Sequence, residues 1–254
     1  MFFLGENDHR FNEDFRPEVH DSDGLLIHSG TGEWIWRPLR NPPNLEISAF
    51  SGRDLRGFGL LQRDRDFEHY QDLETAYEMR PSYFVEPRES WGEGLVELVE
   101  LPTAHETDDN IVASFVRKDS PEPGKPFNYA YRIVASLNLA QLSPNGRAVN
   151  TYLTVAAASG STNPIVPGLR RFIIDFTGGD LAYYAADPQL VEVVPSTSQG
   201  KILRSFLVPN AHTRGFRAVI DVQLDPGQAA DLRAFLRTGT HALTETWTFP
   251  WRAE

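Results

Sequence analysis

Two short acidic segments carry the residue types that proton chemistry needs. HDSDG (20–24) sets Asp21 and Asp23 around one serine, and HETDDN (105–110) sets Asp108 and Asp109 beside His105 and Glu106. A pair of carboxylates is the minimal equipment for cleaving a glycosidic bond: one protonates the leaving oxygen, the other activates water or attacks. Known metal patterns fit less well. Counted from Asp21, an EF-hand would need glycine at loop position six and glutamate at position twelve, where this chain has Leu26 and Gly32. A zinc-protease pattern would need a second histidine four residues after His105, where Asp109 stands. Taken singly, HDSDG is equally an Asx-type turn entering a hairpin, and HETDDN a solvated acidic loop. The bare residues leave both readings open.

Aromatic and basic residues surround these segments in sequence. Trp34 and Trp36 lie two apart, on one face if EWIW is a strand, and such a pair either stacks on sugar rings or fills core. Trp91 in ESWGEG and Tyr77 in ETAYEMRP sit among turn residues, where an aromatic points more towards ligand contact. Arg63, Arg65 and Arg80 either hold carboxylates and sugar hydroxyls or make surface ion pairs. Catalytic Ser/Cys–His patterns, P-loops and dinucleotide fingerprints are absent, since GFGLLQ (57–62) lacks the third glycine and a following helix.

The elements that must position these residues are mostly strands. FNYAYRIVASL (127–137) and GFRAVIDVQL (215–224) alternate with period two, and EWIWRPL, EISAFS, GFGLLQ, GLVELVELP, RRFIIDFTG, KILRSFLV and LTETWTF are shorter runs of the same kind. One helix is predicted at PGQAADLRAFLRTG (226–239), with Leu232, Phe235 and Leu236 on one face and Gly239 as its stop. The polar connection RDRDFEHYQDLETAYEMRPS is long enough to be functional or to cover a site. RKDSPEPGKP (117–126), with three prolines and a glycine, reads as a linker. The division is therefore 1–118, a linker at 119–126, and an immunoglobulin-like sandwich at 127–254.

Composition agrees with this division. Residues 1–118 hold 24 acidic against 12 basic residues, and 119–254 hold 11 against 12, so the net charge of -11 belongs to the first part. That balance argues against nucleic acid as main partner. With no cysteine there are neither disulfides nor thiolate metal sites. No stretch approaches the length of a membrane span, and MFFLGENDHR lacks the apolar core of a signal peptide.

FFLGEND, RPEVHDSDGL, GEWIWRPL, GFGLLQRDRDF, YQDLE…Y…RPS, WGEGLVELVE, ETDDNIVA, PEPGKPF and LTETWTF together resemble the bacterial osmoregulated periplasmic glucan biosynthesis proteins G and D, nearly end to end. The resemblance implies an all-β fold, part of a large galactose-mutarotase-like β-sandwich followed by the immunoglobulin-like domain. It implies a periplasmic protein acting on the β-1,2-linked glucan backbone, as an inverting β-1,2-glucanase without cofactor or metal. The alternative is a non-catalytic factor that binds glucan or contacts the inner-membrane synthesis machinery. By position, the resemblance implies Asp21 as general base, Asp109 as general acid and Tyr77 lining the substrate cleft; Asp23, Trp34, Trp36, Arg63 and Trp91 are the further substrate-binding candidates that residue type suggests. Inversion predicts carboxyl groups about 6.5–9.5 Å apart or more. Family members carry a long stretch before FFLGEND, so the chain is expected to be a C-terminal fragment or a shortened relative.

Overall fold

A computed structural model describes residues 1–6, 14–137, 142–156 and 166–253. The fold is all-β. Contacts divide the chain into two compact units, Met1–Leu139 and Ala140–Glu254. Among the described residues no helix is long and apolar enough to cross a membrane.

The first unit contains β1 (Phe3–Glu6), β2 (Glu18–His20), β3 (Gly24–His28), β4 (Trp34–Pro38), β5 (Glu46–Arg53), β6 (Gly57–Leu61), β7 (Ser82–Pro87), β8 (Glu93–Glu100), β9 (Ile111–Arg117) and β10 (Tyr131–Ser136). The long connection after β6 holds the one-turn helix α1 (Phe67–Tyr70) and a 3-10 turn at Tyr77–Met79. Asp66 caps α1 by accepting the Glu68 N–H, and Gln71 ends it in the left-handed region. One sheet runs β10-β7-β6-β3-β4, a second β5-β8-β9, and β1 pairs with β2 as a separate ribbon. The two sheets face each other across Leu25, Ile27, Ile35, Phe58, Leu60, Val96, Leu98 and Ile111, the sandwich that alternating strands form when one face of each is apolar. The prolines keep 119–126 irregular and exposed, yet the strand after it returns to pair along β7. By contacts, β10 therefore belongs with the first unit, and the division falls near residue 139.

The second unit contains β11 (Arg147–Val155), β12 (Leu169–Thr177), β13 (Glu192–Thr197), β14 (Lys201–Asn210), β15 (Gly215–Gln223), β16 (Ala229–Thr238), β17 (His241–Ala242) and β18 (Thr246–Arg252). One sheet is ordered β11-β12-β15-β14; in the other β16 lies between β13 and β18, with β17 a short addition. Lettered in chain order without β17, these are ABED and CFG, the constant-type immunoglobulin arrangement. Phe172 of β12 packs against Trp247, Phe249 and Trp251 of β18, an aromatic cluster between the two sheets in a unit without cysteine. The helix predicted at 226–239 is instead strand β16. Ala230, Leu232, Ala234 and Leu236 alternate inward; two of these four are alanines, which hid the period of two behind an apparent helical face.

Candidate functional site

HDSDG is where the chain passes from the β1–β2 ribbon into the first sheet. The Asp21 N–H bonds to the Phe2 carbonyl at 3.1 Å, continuing the ribbon, and Asp21 Oδ1 accepts the Phe2 N–H at 2.8 Å. Two residues later the Asp23 N–H bonds to Leu61 of β6, while its carbonyl accepts from Leu39 beyond β4. Asp21 is half-buried and Asp23 is buried.

HETDDN lies between β8 and β9, against the same first residues. The Asn110 amide receives the Phe3 N–H and donates to the carbonyls of Phe3 and Leu101, at 2.9–3.0 Å. The Ile111 N–H bonds to the Met1 carbonyl, and Asp109 Oδ1 lies 3.2 Å from the Met1 nitrogen. Asp21 and Asp109 thus flank one short run of backbone. Adjacent backbone nitrogens are under about 4 Å apart, which bounds the separation of the two carboxylate oxygens at about 10 Å. The Asp109 side chain is 84% exposed.

An arginine hub ties this loop to its surroundings. Arg16 reaches Glu106 through two bonds of 2.7 and 2.9 Å, Asp72 at 2.7 Å, and both carboxylate oxygens of Asp14. Glu106 also accepts the Tyr77 hydroxyl proton at 2.5 Å. The Arg16 bonds hold Asp14 and Glu106 below the usual carboxylate range. Burial alone would raise Asp72, but bonds from Thr75, Arg16 and Glu74 outweigh it and depress the group strongly. Burial, then the bond to Glu106, pushes the Tyr77 phenol up. Beside the hub opens a cleft of about 640 Å³ lined by Asp14, Arg16, Gln71, Asp72 and Glu74, with the exposed Phe15 and Leu73 at its walls.

A second polar network lies behind HDSDG. Asp23 Oδ2 accepts the N–H groups of Arg63 and Asp64 at 2.7 and 2.8 Å, while Oδ1 has no hydrogen-bond partner. Burial pushes the Asp23 carboxyl up to about 6, against the opposing pull of His20, Arg63 and the two N–H bonds. Fully buried His20 sits between Gln62 Oε1 at 3.0 Å and Glu18 Oε2 at 3.1 Å, with Gln62 bonded on to Tyr70. Glu18, Asp64 and His69 bring one ligand atom each within 4.8 Å of one another.

The aromatic candidates are placed differently from the carboxylates. Trp34 stacks on His28 with centroids 3.9 Å apart, and Trp36 carries the Arg63 guanidinium 3.5 Å over its ring. Trp36 lies so close over Gly24 that a Cβ there would fall 2.1 Å from ring carbons. Trp91 is buried against Phe115, Tyr129 and Tyr131, and Tyr77 against Phe2 and Tyr70. A sugar platform needs an open ring face, and these four residues are buried. The structure therefore brings Asp21, Asp109 and, through Glu106, Tyr77 to one region; Asp23, Arg63 and Trp36 adjoin it in the network behind, and Trp91 lies in the core.

The sequence motifs assign no role to Glu18, His20, Gln62, Asp64, His69 or the Arg16–Asp72–Glu106 hub. One signal did mark three of them, Asp64, His69 and Asp72: the polar connection after β6, too long for a simple turn. Arg16 and Glu106 are 90 positions apart, and no local pattern joins them.

A family model described as "Periplasmic glucan biosynthesis protein, MdoG" matches residues 1–251. Among curated proteins, the chain is 44% identical over 253 residues to the "Probable glucans biosynthesis protein D" of Shewanella oneidensis, covering 99% of this chain and 46% of that protein. It is 44% identical over 254 residues to the "Glucans biosynthesis protein D" of Xanthomonas campestris pv. campestris, covering 99% and 47% respectively. With the protein of the same name from Stenotrophomonas maltophilia, identity is 43% over 251 residues, 98% of this chain and 46% of the relative. The chain thus spans about half the length of the curated relatives it matches.

Proposed function

The chain belongs to the periplasmic glucan biosynthesis protein family, and from that premise we propose that it serves in making periplasmic glucan, by binding the β-1,2-linked backbone and hydrolysing it with inversion. Its place of action on this reading is the periplasm. Asp109 gives its proton to the glycosidic oxygen as the C1–O bond breaks. A water attacks C1 from the opposite face and surrenders its proton to Asp21, so the new reducing end has the inverted anomeric configuration.

The observation that carries this reading is that Asp21 and Asp109 lie on either side of the same Met1–Phe2 backbone. The resulting bound of about 10 Å accommodates the spacing that inverting hydrolysis uses, about 6.5–9.5 Å. The Arg16–Glu106–Tyr77 hub steadies the loop from which Asp109 projects, and the acidic cleft beside it offers carboxylate and amide acceptors for sugar hydroxyls.

The test is product analysis on linear β-1,2-glucan, with the protein carrying all flanking sequence that its gene encodes. Asp21→Asn and Asp109→Asn are each expected to lower cleavage by about 10²- to 10⁴-fold, with far-UV circular dichroism unchanged and α-anomeric product first in the wild type. Wild-type rates in either variant would sink the assignment. The exposure of Asp109 favours one other reading, because a general acid usually owes its proton to burial. On that reading the same surface holds nascent glucan for the inner-membrane synthesis machinery and cuts nothing. Retention of glucan without shortening would select it.

A further inference from the structure

Three residues that play no part in the proposed hydrolysis converge near HDSDG. Glu18 ends up there from β2, while Asp64 and His69 come from the connection after β6. His69 Nδ1 lies 2.5 Å from Asp64 Oδ2, and a Glu18 carboxylate oxygen lies within 4.8 Å of both. Ligand atoms around a tetrahedral ion with bonds of about 2.0–2.2 Å stand roughly 3.5 Å apart, so an ion displacing the proton that His69 and Asp64 share would open that pair by about 1 Å and draw in Glu18 as the third corner.

We propose that Glu18, Asp64 and His69 form a binding site for one divalent ion of the zinc class, with its fourth position open to solvent. Three observations favour an ion over a simple His–Asp pair. The first is charge: the His69–Asp64 pair needs only one carboxylate, yet Glu18, which is also bonded to buried His20, brings a second within 4.8 Å. Two carboxylates and a neutral imidazole balance a dication. The second is the outer shell. Glu18 Oε2 is oriented by the ring of buried His20, itself fixed by Gln62. Asp64 Oδ1 receives the Asp66 N–H at 2.9 Å, and the Asp64 N–H is held by Asp23. Ligands oriented by such second bonds are characteristic of metal centres. The third is the donor set: one nitrogen with two oxygens suits zinc, whereas magnesium and calcium favour all-oxygen sites. His69 is half exposed, which provides both the open position and a route of entry. Bound there, the ion would clip β2 to the connection after β6, only three residues from Asp21. The proposal is independent of the glycan chemistry.

Calorimetric titration of chelator-treated, metal-free protein with zinc chloride tests it, with magnesium chloride as the hard-ion comparison. One saturable zinc event per chain is expected, absent with magnesium and lost in His69→Ala. That variant removes a half-exposed side chain, so unchanged far-UV circular dichroism is expected alongside the loss. Glu18→Gln is expected to weaken binding, and Asp66→Asn, an acidic neighbour that is not a ligand, to retain it. No saturable zinc event, an event that survives in His69→Ala, or equal binding of magnesium would each overturn the proposal. So would loss of binding in Asp66→Asn, which would reveal a diffuse acidic surface in place of a site.

Discussion

Glu100 shows at the scale of one residue how this fold tolerates charge in its interior. Its carboxylate is fully buried, bonded to the equally buried Arg37 guanidinium at 2.6 Å and to the Arg40 N–H at 2.7 Å. Burial pulls the Arg37 pKa down, and the Glu100 charge opposes that pull. Removing one partner leaves the other charge uncompensated. Glu100→Ala is therefore expected to cost about 3–5 kcal/mol in urea unfolding. Replacing both, Arg37→Met with Glu100→Leu, should cost far less, because the desolvation penalty disappears with the charges. A double variant as unstable as the single one would refute this account. Neither residue announced itself in sequence, where Arg37 follows a tryptophan in a strand and Glu100 ends an alternating run. Asp21 and Asp109 stand out as candidates because each lies in a distinctive acidic motif. The burial of Trp34 and Trp36 was not legible, since a strand tryptophan has the same spacing whether its ring faces core or ligand, and Trp91 sits in a turn whose residues do not show that its ring folds back onto Phe115 and Tyr129.

At the scale of elements, the alternating strands were readable because inward and outward residues differ in polarity. β15 and β8 fall where period two put them. β16 did not, and its correction makes a prediction. In a strand, Leu232 and Leu236 point inward while Asp231 points out. Leu232→Ala and Leu236→Ala should each cost about 2–5 kcal/mol, and Asp231→Asn should stay within about 0.5 kcal/mol. A substantial loss in Asp231→Asn would count against the strand. The Asn110 side chain makes a second element-scale case, joining β1 to the ends of β8 and β9 through three hydrogen bonds. Asn110→Ala leaves the Phe3 N–H and two carbonyls without that partner, at about 1–3 kcal/mol for each group that stays buried. Hydrogen exchange is expected to speed up at the Phe3 and Asp21 amides first. Since Asp21 and Asp109 both rest on this ribbon, proposed glucan cleavage should fall with it although Asn110 touches no reacting atom.

For the whole molecule the dominant fact is charge. The excess of carboxylates in residues 1–118 makes the protein repel itself at neutral pH, and protonation on acidification relieves part of that repulsion. The Arg16 hub works in the opposite direction. Its three carboxylates, Asp14, Asp72 and Glu106, have folded-state pKa values below their ordinary values of 3.8, 3.8 and 4.5. Groups depressed on folding contribute stability that is fully present above the unfolded values and is lost as pH falls through the folded ones. The hub's contribution should accordingly be intact at pH 7, begin to fade near pH 5, and go on shrinking as acidification passes below the ordinary carboxylate values. Comparing wild type with Arg16→Met separates it from the general relief of repulsion, which both proteins share. The variant is expected to be less stable by about 2 kcal/mol or more at neutral pH, and the two unfolding curves should converge as the solution is acidified. A gap that stayed constant down to pH 2 would mean that Arg16 stabilises by packing its methylenes. In that case the carboxylates around it would be solvated neighbours, and the loop bearing Asp109 would owe its position to Asn110 and to its backbone contact with Met1.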